Sequence, residues 1–106
     1  MGERRFFGSS ENRTLRFQVA SIGHASPQGV DPIPTSQYLH VKSEMSQGWR
    51  PMRTPDGSHG YKHPMQESYV KFEETGGTRT VILMASGEMG VENLASELGL
   101  RKSVRD

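Results

Sequence analysis

The sequence predicts an α+β domain: an antiparallel sheet of four or five strands, or a partly open barrel, with one C-terminal helix packed on it. Three observations point there. Gly76-Gly77 separates two β-rich runs, Tyr69–Thr75 and Thr78–Ala85. Val91, Leu94, Ala95 and Leu98 come next at i, i+3, i+4 and i+7, the stripe of an amphipathic helix over residues 90–99. With 12 Gly and 6 Pro in 106 residues, the chain is too heavily punctuated for a helical bundle.

Residues 1–13 read as a polar N-terminal arm in which Arg4, Arg5 and Arg13 surround Phe6 and Phe7. Residues 14–106 read as one small domain. Thr14–Ile22 is the first expected strand, with Leu15, Phe17 and Val19 alternating against Arg16, Gln18 and Ala20. A long loop, 23–36, comes after it; Pro32-Ile33-Pro34 within it disfavours helix and favours an extended path. Gln37–Ser43 is the second expected strand, with Leu39 and Val41 inward and Tyr38, His40 and Lys42 outward.

Residues 44–66 form the second long loop, broken by Gly48, Pro51, Pro55, Gly57, Gly60 and Pro64. Thr54-Pro55-Asp56-Gly57 is a turn signal, and a hairpin of roughly 47–53 with 58–63 fits around it. Pro51 confines that hairpin to a sheet edge.

The hairpin at Gly76-Gly77 has a register that can be written down. A two-residue glycine turn sets Thr75 opposite Thr78, Glu74 opposite Arg79, Phe72 opposite Val81 and Val70 opposite Leu83. Val70, Phe72, Val81 and Leu83 then share one face. The unbroken apolar run Val81–Ala85 marks the more central strand. Beyond it, Ser86 is the expected N-cap, and Gly99-Leu100 the expected Schellman ending.

Composition excludes several functional classes. Without cysteine there are no disulfides, no thiol catalysis and no cysteine-ligated metal or iron–sulfur centre. No apolar run approaches the ~20 residues of a bilayer span, and the N-terminus has no apolar signal core. The expectation is a soluble chain made in a cytosol, including one later packed into a particle. Net charge is +1, unevenly spread: residues 1–53 carry seven Lys/Arg against four Asp/Glu, and residues 54–106 carry six against eight.

No catalytic residue, cofactor site or metal site is expected. His59 and His63 are four apart near Asp56, but glycine and proline around them forbid the helix that would make this a metal pair, so both read as surface turn residues. Gly87-Glu88-Met89-Gly90 lacks the Lys-Ser/Thr of a phosphate loop and reads as a tight strand-to-helix connection. What is left is a non-enzymatic interaction or assembly module, a subunit or accessory protein of a larger particle, of phage type or as a host-enzyme inhibitor. Arg4, Arg5, Phe6, Phe7, Trp49 and Arg50 are its candidate partner-binding residues, with protein partners or self-association expected. The alternative is a small nucleic-acid-binding module using Arg13, Arg16, Tyr38, His40, Lys42 and Arg53, with Tyr61 and Lys62 adding to a stacking and phosphate surface. A membrane partner is not expected.

Overall fold

The structure is a computed structural model and describes residues 11–20 and 27–101. Among the described residues the chain forms β1 (Asn12–Val19), β2 (Val30–Ile33), α1 (Thr35–Gly48), β3 (Arg50–Arg53), β4 (His59–Lys62), β5 (Ser68–Thr75), β6 (Thr78–Ser86) and α2 (Gly87–Glu97). The strands make one open sheet in the order β2-β1-β6-β5-β4-β3. It is an α+β fold, larger than four or five strands and not a barrel. It is also mixed, because β2 runs parallel to β1 while every other pair is antiparallel.

The glycine-turned hairpin has the expected register: Thr75 faces Thr78, Glu74 faces Arg79, Phe72 faces Val81 and Val70 faces Leu83. Gly76 and Gly77 both take positive φ, +57° and +81°. Glu74 and Arg79 meet at 3.2 Å across the strands. β6 is the central strand, paired with β1 on one side and β5 on the other, and Val81–Ala85 are all buried. α2 buries Val91, Leu94 and Ala95 and ends as a Schellman motif, with Gly99 at φ +74°. There the Leu100 N–H donates to the Ala95 carbonyl at 2.8 Å and the Gly99 N–H to Ser96 at 3.1 Å. Ser86 holds the N-cap position, but its side chain makes no capping hydrogen bond.

The largest correction concerns Gln37–Ser43, which belongs to α1 and is not a strand. Tyr38, Val41 and Met45 are its buried residues, at i, i+3 and i+7. Tyr38, expected outward, is 1% exposed, and Leu39, expected inward, is 51% exposed. α1 and α2 share the inner face of the sheet with Phe17, Val70, Val81, Leu83 and Ala85. The start of α1 is tied to the end of α2 by Gln37 Nε2, which donates to the Leu98 carbonyl at 3.0 Å. Arg101, just beyond α2, bridges two elements: it donates to Asp31 on β2 at 2.7 Å and to Glu92 on α2.

Both expected loops contain strands. β2 lies within 23–36, and the β3–β4 hairpin lies within 44–66 around Thr54–Gly57. Each edge strand carries one proline. The Ile33 carbonyl accepts from Ala20 N–H, so Ile33 directs its backbone toward β1 and the neighbouring Pro32 faces the open side. On β3, Thr54 N–H donates inward to the Ser58 carbonyl, so Arg53 and Pro51 face outward by the same alternation. A missing N–H at each margin leaves a gap in the template for strand addition.

Gly60 is the closest backbone approach in the sheet. A Cβ there would lie 2.6 Å from Thr54 Cγ2 and 2.8 Å from the Val70 carbonyl oxygen. Gly48, at the end of α1, has nothing within 4 Å of the same position. Gly60→Ala is therefore expected to destabilise the protein by about 1–3 kcal/mol. Gly48→Ala is expected to leave stability unchanged or raise it by up to about 1 kcal/mol. Chemical denaturation of the two variants checks the contrast; equal effects would contradict it.

Candidate functional site

Six strands at about 4.8 Å spacing make a sheet roughly 24 Å wide. Two helices, α1 and α2, pack on its inner face. α2 lies over β6 and β1, and α1 packs against β6 and reaches β5 through Tyr38, which meets Phe72 edge-on at 5.6 Å. The inner face of β4 and β3 is left open, and a groove of about 470 Å³ runs between it and α1.

Tyr61 and Phe72 form the floor, their rings 6.1 Å apart and inclined at 74°. Lys42 of α1 stands on one wall, its Nζ 5.5 Å from the Phe72 centroid and 5.6 Å from the Tyr38 centroid. Arg53 and His59, cross-strand neighbours in the β3–β4 hairpin, stand on the other. Pro51 and Met52 complete the rim. Among the described residues no carboxylate lines the groove, and Lys42 makes no ion pair.

A polar lock on the outer face holds the hairpin that supplies Arg53 and His59. Lys71 is 8% exposed and stands opposite Ile82 across β5 and β6. Its Nζ donates to Asp56 Oδ2 at 2.8 Å and to Ser58 Oγ at 3.0 Å. Asp56 also accepts from the Thr54 hydroxyl at 2.5 Å and the Ser58 N–H at 3.0 Å. The β3–β4 turn is thereby folded over the sheet, which is why only glycine fits at position 60. The Lys71 ammonium, then the Thr54 and Ser58 donors, hold the Asp56 carboxyl well below the usual carboxylate range. Arg53 donates from a guanidinium nitrogen to the Gly57 carbonyl, so the same turn orients it.

Tyr38 lies behind the Lys42 wall. Arg79 Cζ and Lys42 Nζ are each 5.6 Å from its ring centroid. Among the described residues its hydroxyl has no hydrogen-bond partner. Burial, reinforced by the Glu74 charge, pushes the phenol above its ordinary value. An unpaired buried hydroxyl costs about 1–3 kcal/mol.

The other side of α1 has the opposite character. A cleft of about 310 Å³ is lined there by Glu44, Gln47, Trp49, His63 and Glu97. His63, expected on the surface, is buried at 8% exposure. Its Nδ1 accepts from Met65 N–H at 3.0 Å, which assigns the ring proton to Nε2, 3.2 Å from Glu97. The Trp49 ring stands edge-on to it, with centroids 4.9 Å apart. His59 and His63 therefore serve different surfaces. Among the described residues no group of three or more His, Asp or Glu side chains is arranged to hold a metal, and no helix is long and apolar enough to cross a membrane.

The residues singled out from sequence scatter. Lys42 and Arg53 meet at the groove. Arg13 and Arg16 lie on β1, Arg13 exposed and Arg16 opposite Ile82 on the outer face. His40 is exposed on α1, 3.9 Å from Glu44. Tyr38 is buried rather than presented, Trp49 is half-buried against His63, and Arg50 is exposed across from Lys62. Arg4, Arg5, Phe6 and Phe7 lie outside the described residues. Sequence reasoning misses His59 and Phe72 as groove residues. His59 carries a signal in its position just after the Thr54–Gly57 turn, whereas Phe72 reads only as core.

Because the folded-state value of Asp56 lies below that of the unfolded chain, its contribution is fully present above the ordinary carboxylate range and is lost progressively as pH falls below that range toward the lower folded-state value. Wild type is expected to exceed Asp56→Asn in denaturation midpoint at pH 7, with the gap narrowing below about pH 4. A gap that stays constant down to about pH 2 would mean that the lock does not depend on the ionised carboxylate. Comparison of the chain with family models, curated proteins and solved structures finds no match.

Proposed function

We propose that the protein is a non-enzymatic binding module that holds single-stranded nucleic acid in the groove between α1 and the β3–β4 hairpin. The observation that carries this reading is the pairing of half-buried aromatic rings, Tyr61 and Phe72, with cations on both walls, Lys42 and Arg53, and no carboxylate among the described lining residues. Rings offer stacking that every base can use, and the cations suit the phosphates on either side. A cavity of about 470 Å³ lies within the range of small-molecule sites and has room for a base. Base faces are hidden within a duplex, so an unpaired strand is the matching form.

The assembly reading has less behind it. It leans on residues 4–7, which lie outside the described residues, and on Trp49, which is engaged with His63. Outward-facing prolines at both sheet edges also oppose a partner that would add a strand.

The test is fluorescence anisotropy with an oligothymidylate of about twelve nucleotides, repeated over a range of salt concentrations. Binding is expected to weaken with salt with a log–log slope of about −1.4, reflecting the two phosphates that Lys42 and Arg53 would neutralise on a single strand. Lys42→Ala and Arg53→Ala should each lower affinity several-fold and reduce the slope by about 0.7. Tyr61→Ala should cost about 1–3 kcal/mol of binding with the slope retained. Absence of binding at low salt, or binding indifferent to all three substitutions, would refute the reading.

A further inference from the structure

We propose that the Tyr38 hydroxyl, with Lys42 and Arg79, forms a subsite for a phosphate oxygen of the bound strand. The inference rests on the nucleic-acid reading of the groove and adds to it a donor lying behind the groove wall. Tyr38 is almost fully buried, and among the described residues its Oη has no partner. Buried hydroxyls are nearly always paired, so one left alone calls for a physical account. Packing does not supply it: the ring stands edge-on to Phe72, and a phenylalanine would make the same contact.

The groups above the ring do supply one. Lys42 Nζ and Arg79 Cζ each lie 5.6 Å from its centroid, and both end long, flexible side chains. They place two cations over the ring of the residue that carries the unpaired hydroxyl, and an anion would draw such groups together. Lys42 both lines the groove and stands over the Tyr38 ring, and so links the two. The opposing group is Glu74, which pairs with Arg79 at 3.2 Å; an incoming phosphate competes with it for the guanidinium. An ordinary phenol is protonated at neutral pH, and the Tyr38 hydroxyl is therefore available as a donor. A phenol O–H donating to a phosphate oxygen is a charge-assisted bond.

Tyr38→Phe removes the hydroxyl and little else. The variant is expected to be as stable as wild type or more so, because an unpaired buried group is gone. Its affinity for the same oligothymidylate is expected to fall about tenfold, the scale of a hydrogen bond to a charged acceptor. The salt slope should not move, since no charge is lost, whereas in Lys42→Ala it falls by about 0.7. Inorganic phosphate serves as competitor in a second arm. Competition in wild type and not in Tyr38→Phe supports the subsite and makes an isolated phosphate sufficient. The affinity loss without competition supports it for the phosphodiester in its strand. Equal affinity of Tyr38→Phe and wild type overturns the subsite and leaves the groove standing, as does a Tyr38→Phe protein less stable than wild type. No binding by wild type overturns both.

Discussion

β6 exchanges backbone hydrogen bonds with β1 on one side and β5 on the other, and its residues from Val81 to Ala85 are shut off from solvent. That double pairing is the constraint on which the other elements depend. Its register is fixed by the Gly76-Gly77 turn and by two neighbours at once, so a slip of one residue would break both ladders and turn the alternating side chains of β1 and β5 out of step with it. β5 is locked to it by the Gly76-Gly77 turn, α2 is launched directly from its end, and α1 packs where the inner residues of β5 need cover. The outer face obeys the same logic: Lys71 stands beside Ile82 because the register puts it there, and its ammonium then fastens the β3–β4 turn.

The candidate site arises from what this arrangement leaves undone. The two helices gather over β1, β6 and β5, and the inner-face side chains of β3 and β4 lie beyond them. The sequence answers by changing their chemistry: Val70, Val81 and Leu83 under the helices give way to Tyr61, His59 and Arg53 beyond them. α1 divides two surfaces of opposite sign, with Lys42 on the groove side and Glu44 on the cleft side. The small net charge of the whole chain conceals this segregation.

What can be read from sequence is local. The Gly-Gly hairpin, α2 with its Gly99-Leu100 ending, and the edge hairpin around Thr54–Gly57 each rest on signals a few residues apart. The sequence misleads at α1 because Gln37–Ser43 is too short to separate a period of two from one of about 3.6. Met45 breaks the tie, but it lies beyond that window. β2 goes unseen because four residues holding a proline carry no periodicity, and their parallel partner is not set by any turn. For the groove, the types of residue are legible and their meeting is not. Lys42, Arg53, Tyr61 and Phe72 come from four elements, and nothing short of the assembled sheet brings them within reach of one ligand.

The prolines at the two margins of the sheet have a consequence for behaviour at high local density. Pro32 and Pro51 interrupt the lateral bonding through which sheets of neighbouring molecules fuse. Where copies crowd together, each margin therefore presents an incomplete ladder, which disfavours edge-to-edge joining of one sheet to the next.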